Sequence, residues 1–253
     1  MTVTNQHELT GITRISEIVA IVLREMKAHA RTGMTTAQLD AFGGRLLQSF
    51  NARSAPKHAY GFPGFTCISL NHEIAHGIPS EKRVIKDGDL INIDVSAELN
   101  GFWADNGTSF VIGRDLQGLQ ALVDCSRSIM MSAINSIRPG MRVSELGRHI
   151  EKMAQHSGFR VIKNLAGHGV GRALHEEPHY ILNCEDKKNT ARFKKNSVVA
   201  IETFISTKST QAEQLDDGWT LVGNHGGHVA QHEHTILISE DRPLILTAAN
   251  SLC

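Results

Sequence analysis

The chain has no excess of either charge. Its 253 residues carry 26 Lys and Arg against 26 Asp and Glu, and the pI is near 7.3. A nucleic-acid surface shows as a basic excess, so no nucleic-acid partner is expected. Long apolar runs are missing as well. The longest are about six residues, such as Ile18 to Leu23, far short of the ~20 that a membrane helix needs. Cysteine is scarce: Cys67, Cys125, Cys184 and Cys253 stand far apart with no CxxC pair, which argues against a disulfide framework and a cysteine zinc site. The opening MTVTNQHELTGITR lacks the basic start and apolar stretch of a secretory signal. These absences leave a soluble globular protein, expected in the cytoplasm and without a membrane partner. At roughly 100–200 residues per domain, residues 1–253 suit one large domain, long enough to fold without staples.

What the chain does have is 14 histidines, many of them close to glycines or acids. The spacing predicts an amphipathic helix over the first 31 residues, with Ile12, Ile15, Val19, Val22, Leu23 and Met26 on one face. Arg31-Thr32-Gly33-Met34 breaks it. Thr35-Thr36-Ala37-Gln38 then reads as a capping box that opens a second helix, with Leu39, Phe42, Leu46 and Leu47 on its buried side. Between residues 54 and 113 short strands take over, at 67–70, 90–97 and 102–111. Asn100-Gly101 is the strongest hairpin signal in the chain. Helices are expected again at 116–137 and 143–156, and strands and loops from 160 to 245, with 160–165 strand-like.

Two helices, then strands, then two helices, then strands suggest an internal duplication. Arg31-Thr32-Gly33-Met34 recurs as Arg138-Pro139-Gly140-Met141, each time between helical patterns. Leu90-Ile91-Asn92-Ile93-Asp94-Val95 is echoed by Val198-Val199-Ala200-Ile201-Glu202-Thr203 at nearly the same offset. A period this long marks a duplicated half-domain rather than a solenoid. The halves would run from about 5–113 and 114–246, each giving one acid from an equivalent strand to a site between them.

The hairpin fixes a register. With Asn100-Gly101 as a two-residue turn, Asp94 faces Gly107 and Asp105 faces Ser96. The two aspartates are then diagonal neighbours on one face, roughly 7–8 Å apart at the backbone and within reach of a shared ion. A merely solvated strand face would carry the same residues, and a bulge would spoil the register. The second half adds Gly167-His168-Gly169-Val170-Gly171, the cluster Leu174-His175-Glu176-Glu177-Pro178, and single acids, Glu202 and Glu233, in otherwise buried-looking strands. Such charges are expensive unless paired or bound to metal. Four carboxylates and one histidine suit two divalent ions of the Mn²⁺, Fe²⁺, Co²⁺ or Zn²⁺ type.

Five strings together resemble the signature blocks of type I methionine aminopeptidases. They are His76-Gly77-Ile78-Pro79, Asn92-Ile93-Asp94-Val95, Gly167-His168-Gly169-Val170-Gly171, His175-Glu176-Glu177-Pro178 and Gln231-His232-Glu233-His234-Thr235. They stand in the family's order and spacing, and the similarity runs from about Glu8 to Leu246. The resemblance implies the pita-bread fold, an α+β pseudo-two-fold domain with a central antiparallel sheet flanked by helices. It implies a two-metal centre on Asp94, Asp105, His168, Glu202 and Glu233, in which Asp105 and Glu233 bridge, His168 and Glu202 complete one ion and Asp94 chelates the other. It also implies removal of an N-terminal methionine before a small second residue, by attack of a metal-bound water or hydroxide on the first peptide carbonyl. Glu202 falls in the role of general base. His175 would donate to the scissile peptide, and His76, near the substrate backbone, is placed to shuttle protons. Phe62, Cys67, Leu174 and Trp219 fall at methionine-pocket positions. The implied partner is the N-terminal methionine of nascent polypeptides; transient ribosome association is compatible with this, and nothing demands more than a monomer.

The sequence departs from the family at three places. Many relatives have Tyr-His-Gly-Tyr-Pro where this chain has Ala59-Tyr60-Gly61-Phe62-Pro63, and Phe where it has Leu174. Asp105 is followed by Asn106-Gly107-Thr108 rather than an immediate Thr, which leaves the support of Asp105 open. The other histidines, His58, His72, His179, His225, His228, His232 and His234, read as structural or surface. Two rival readings share the fold: a proline-directed enzyme such as prolidase or aminopeptidase P, and a non-catalytic binding protein.

Overall fold

In the computed structural model, which describes residues 1–250, the first half runs α1 (Gln6–His29), α2 (Thr36–Ser49), β1 (Arg53–Ser54), α3 (Ala55–Tyr60), β2 (Cys67–Leu70), β3 (Glu73–Ala75), β4 (Leu90–Leu99) and β5 (Phe102–Val111). The second half runs α4 (Gln120–Ser136), α5 (Val143–His156), β6 (Arg160–Val161), β7 (Ala166–Gly169), β8 (Glu176–Leu182), β9 (Val198–Ser206), β10 (Ala212–Gln214), β11 (Leu221–Gly223), β12 (Val229–Leu237) and β13 (Leu244–Ile245). No helix among the described residues is long and apolar enough to cross a membrane. Cys67, Cys125 and Cys184 are free thiols, and Cys253 lies outside the described residues.

Side chains set the helix ends. Asn5 accepts from Glu8 N at the start of α1, and the reciprocal Thr35–Gln38 box opens α2. α4 begins at Gln120 rather than at residue 116. Asp115 folds back to accept from Leu119 N and Gln120 N at 2.8 and 2.9 Å, so the residues between form a turn. The expected strand over 160–165 also shrinks, to β6 alone. Beyond it the edge of β9 is paired by a side chain: Asn183 donates to Glu202 O at 3.0 Å and accepts from Phe204 N at 2.8 Å. One amide group therefore does what a strand would otherwise do.

The β4–β5 hairpin keeps the expected register, with Asp94 opposite Gly107 and Ser96 opposite Asp105. Asn100 and Gly101 both take positive φ, 53° and 80°, the conformation whose twist suits a two-residue hairpin. Along β4, Ile91, Ile93, Val95 and Ala97 point into the core under α1. The intervening Asn92, Asp94, Ser96 and Glu98 take the other face. Burying each large apolar side chain is worth roughly 1.5–3 kcal/mol, and a one-residue slip would exchange them for those polar residues. That resists slippage. In the second half α4 lies on β9 and β12, which turn Val199, Ile201, Ile205, Ala230 and Ile236 toward it. Glu202 and Glu233 are left on the opposite side.

Backbone hydrogen bonds define two main sheets, one containing β1, β2, β4 and β5 and the other β13, β12, β9, β7 and β8, with β6 on β9. They meet where β5 lies against β12. Hydroxyl groups join them. Thr235 Oγ1 accepts from Asp105 N at 3.0 Å and donates to Asp105 O at 2.7 Å. Ser109 Oγ accepts from Gln231 N at 2.9 Å and donates to Gln231 O at 3.0 Å. Each half thus lends one hydroxyl to the other's backbone, on a single antiparallel register that sets Gly107 opposite Glu233. Thr235→Val keeps the shape but leaves two buried backbone groups of Asp105 unpaired. Each such group costs about 1–3 kcal/mol, so chemical denaturation of this variant should show a loss of roughly 2–6 kcal/mol. An unchanged midpoint would mean that the hydroxyl does not carry the junction.

Candidate metal centre

Across the junction the strands run β4, β5, β12, β9 and β7. Each offers one ligand-type side chain to the same face: Asp94, Asp105, Glu233, Glu202 and His168. Ligand atoms of Asp105, His168 and Glu233 lie within 4.8 Å of one another. His168 Nε2 is 3.8 Å from both Asp105 Oδ2 and Glu202 Oε1. Its Nδ1 is 3.0 Å from Gly169 O, a bond that needs the proton on Nδ1 and turns the Nε2 lone pair to the acids, the tautomer suited to a metal ligand. Gly167 lets β7 approach β9 this closely, because a Cβ there would overlap Ala200 O.

The donor set fits a cation. Glu202 and Glu233 are direct cross-strand partners, where like charges destabilise a sheet. Asp94 Oδ1 and Glu233 Oε1 are buried without a hydrogen-bond partner, which is costly for an acid unless something positive takes its place.

A cavity of about 120 Å³ opens on these groups. Phe62, Cys67, Leu174 and Trp219 form its apolar walls, and His76 and His175 also face it. The structure therefore gathers into one cavity every residue singled out from the sequence. The Phe62 and Trp219 rings meet edge to face at 5.2 Å. Asp217 holds Trp219 in place by accepting from its backbone N–H at 2.8 Å. Cys67 pairs in register with Asp94; burial, and then the neighbouring Asp94 charge, push its thiol well up, so it acts as an apolar wall. A larger groove of about 820 Å³ beside α2 and α3 is lined by no acid and offers no comparable chemistry.

The family model for Metallopeptidase family M24 matches residues 10–240. The chain belongs to metallopeptidase family M24. It is 46% identical to methionine aminopeptidase 2 of Bacillus subtilis, over 98% of this chain and 99% of that protein. A crystal structure of a methionine aminopeptidase from Thermotoga maritima superposes with a TM-score of 0.92 at 31% identity, covering 98% of this chain and 99% of that one. A prolidase from Pyrococcus furiosus gives 0.77 at 21% identity, and the match covers 97% of this chain but 65% of the prolidase. That likeness shows the fold alone. The resemblance of the sequence to methionine aminopeptidases and the pita-bread fold are thereby borne out, and as an M24 metallopeptidase the protein binds divalent metal.

The structure also answers the question raised by Asn106. Its backbone N–H donates to Asp105 Oδ1 at 2.9 Å, while its side chain turns away to accept from Asn250 at 2.9 Å. Further support comes from residues to which the sequence reading gave no role. Gln231 donates to Glu233 Oε2 at 3.0 Å, while Asn92 donates to Gln231 Oε1 at 2.7 Å. A Cβ on Gly107 would overlap the Gln231 amide, so this M24 site needs glycine there. Alternation could have found Gln231, since it shares a strand face with Glu233 two residues on. Pro56, Tyr60 and Ser96 also line the cavity. His232 and His234 lie on the helix side, where their Nδ1 atoms meet Ser126 Oγ and Thr247 Oγ1 at 3.0 and 2.7 Å.

Burial raises the carboxyl of Asp105 to about 6. Asp94, Glu202 and Glu233 are pushed well above the usual range, first by burial and then by the Asp105 charge. Burial holds His168 down to about 3, so that imidazole is already neutral at any working pH. Since metal binds the deprotonated carboxylates, loading must expel protons, and affinity falls as pH drops toward and below 6. Titration calorimetry with Mn²⁺ in buffers of different ionisation enthalpy should show net proton release at pH 7, and at least tenfold weaker binding at pH 5.5 than at pH 7.5. Affinity independent of pH would contradict the assignment of these acids as ligands.

Proposed function

We propose that this protein is a methionine aminopeptidase that removes an N-terminal methionine when the second residue is small, using two divalent ions held by Asp94, Asp105, His168, Glu202 and Glu233. The observation that carries the reading is the convergence of five ligand-type side chains from five neighbouring strands on an apolar-walled cavity, in a chain that matches methionine aminopeptidases over its whole length. Bound divalent ions supply a nucleophile at neutral pH and polarise the carbonyl.

The chain's own residues do the rest. Phe62, Cys67, Leu174 and Trp219 pack on the thioether, a flexible and polarisable group that suits mixed aromatic and aliphatic walls. Glu202 takes the proton of the attacking water and carries it toward the departing amine. Asp94, Asp105, His168, Glu202 and Glu233 would hold the two ions between them. His175, just before β8, donates to the scissile peptide as negative charge grows on its carbonyl oxygen. His76, at φ +55° on the turn after β3, stands beside the substrate backbone. The nascent chain is the natural source of such substrates, the ribosome is a transient neighbour, and a monomer in the cytoplasm suffices.

Hydrolysis of Met-Ala-Ser beside Gly-Pro, with Mn²⁺, Fe²⁺, Co²⁺ or Zn²⁺ added to metal-stripped protein, tests the reading directly. The methionine peptide should be cleaved and Gly-Pro should not, and Met-Leu or Met-Arg peptides should be poor substrates. Preference for Gly-Pro would move the protein to the proline-directed class, and activity in confirmed metal-free protein would end the two-ion reading. Glu202→Gln should abolish turnover while the fold survives. His175→Ala should bind both ions and melt normally yet lose ~10²–10³ in kcat, with KM nearly unchanged. His168→Ala should weaken metal binding itself. The opposite pattern would mean that the two histidines have exchanged roles.

A further inference from the structure

α3 ends at Tyr60, where Gly61 takes φ +73° and turns the chain away. The Tyr60 side chain stays half exposed at the cavity mouth, and its Oη lies 2.7 Å from His175 Nδ1. The two rings are 5.7 Å apart between centres and inclined at 47°, so they meet through this hydrogen bond and are not stacked. The His175 ring is also 4.1 Å from that of His168, so His175 contacts both a candidate ligand and a phenol. In the family's Tyr-His-Gly-Tyr-Pro block a histidine stands where this chain has Tyr60.

We propose that Tyr60 is the positioning residue that sets the tautomer of His175: the phenol donates to Nδ1, and the ring proton is thereby fixed on Nε2, on the substrate side. The direction of the bond follows from the two groups. A phenol O–H is a far better donor than a neutral imidazole N–H, and an imidazole nitrogen is a better acceptor than a phenol oxygen. Without this partner the ring exchanges between tautomers, and the Nδ1–H form turns a lone pair on the oxygen where negative charge grows. A tautomer error of this kind is expensive in catalysis. The inference rests on the reading of His175 as the donor to the scissile peptide. It adds that the donor is made competent by a residue in which this chain departs from many members of the family it resembles.

Tyr60→Phe removes one hydroxyl from a half-exposed side chain and leaves the ring. With enzyme loaded with the most active of the four metals, kcat for Met-Ala-Ser should fall about tenfold, the worth of one ordinary hydrogen bond, while KM stays within about twofold because that bond does not hold the substrate. Long-range ¹H–¹⁵N spectra of the zinc-loaded protein should show Nε2 of His175 protonated in the parent and a mixture of tautomers in Tyr60→Phe. Tyr60→His, which restores a ring N–H at this position, should recover part of the lost rate. If Tyr60→Phe keeps both the parent ring pattern and the parent kcat while His175→Ala is slow, the tautomer inference falls and the role of His175 stands. If His175→Ala itself turns over normally, the reading of His175 falls first. A change in KM alone would make Tyr60 a wall of the substrate pocket and overturn the inference.

Discussion

β5 and β12 meet without a backbone ladder between them, and the rest of the site depends on how that gap is closed. Two hydroxyl groups close it, each bonded to both backbone groups of one residue on the facing strand. This joint fixes where Asp105 stands relative to Glu233, and through their own strand partners it fixes Asp94 and Glu202. Gln231 belongs to the same joint. Its backbone meets Ser109 while its amide holds the carboxylate of Glu233. A shift of one strand against the other would therefore disturb the ligand spacing and the groups that orient the ligands together. Packing supplies the opposing rigidity, because the helix-side faces of the same strands are filled by buried aliphatic side chains.

Much of this was legible in the sequence because the relevant signals are local. Asn100-Gly101 specifies a turn, the turn specifies a register, and the register brings Asp94 and Asp105 to one face. Glu202 stands out because it is the single acid in an otherwise mostly apolar strand, and Glu233 because it is the single acid of its own. What could not be read depends on approach between distant segments. Gln231 gains its role only when Gly107 lets another strand come close, and Tyr60 only when α3 ends beside His175. Asn183 replaces part of a strand with a side-chain amide, which no periodicity reveals. The late start of α4 has a more ordinary cause: the apolar pattern continues through a turn that Asp115 closes by capping.

The centre sets local stability against function. Asp105, Glu233 and an imidazole are buried, and Asp94 and Glu202 largely so, among apolar residues, and two of the acids stand directly opposite each other on paired strands. Surroundings that would suit a hydrophobic core instead hold groups that are unfavourable there until a cation arrives. Gly107 and Gly167 belong to the same compromise, since both give up side-chain packing so that ligand-bearing strands can come close. Local rules are broken most where chemistry is concentrated, as expected when structure serves a site.

Because each proposed ligand comes from a different strand, and the five strands span the junction between the sheets, an ion bound there would also act as a clasp. It would favour the assembled junction over strands that have come apart, so occupancy and cohesion would be linked by mass action. Resistance to unfolding would then become a function of free metal concentration: the same ions that equip the protein for hydrolysis would also set how long it lasts.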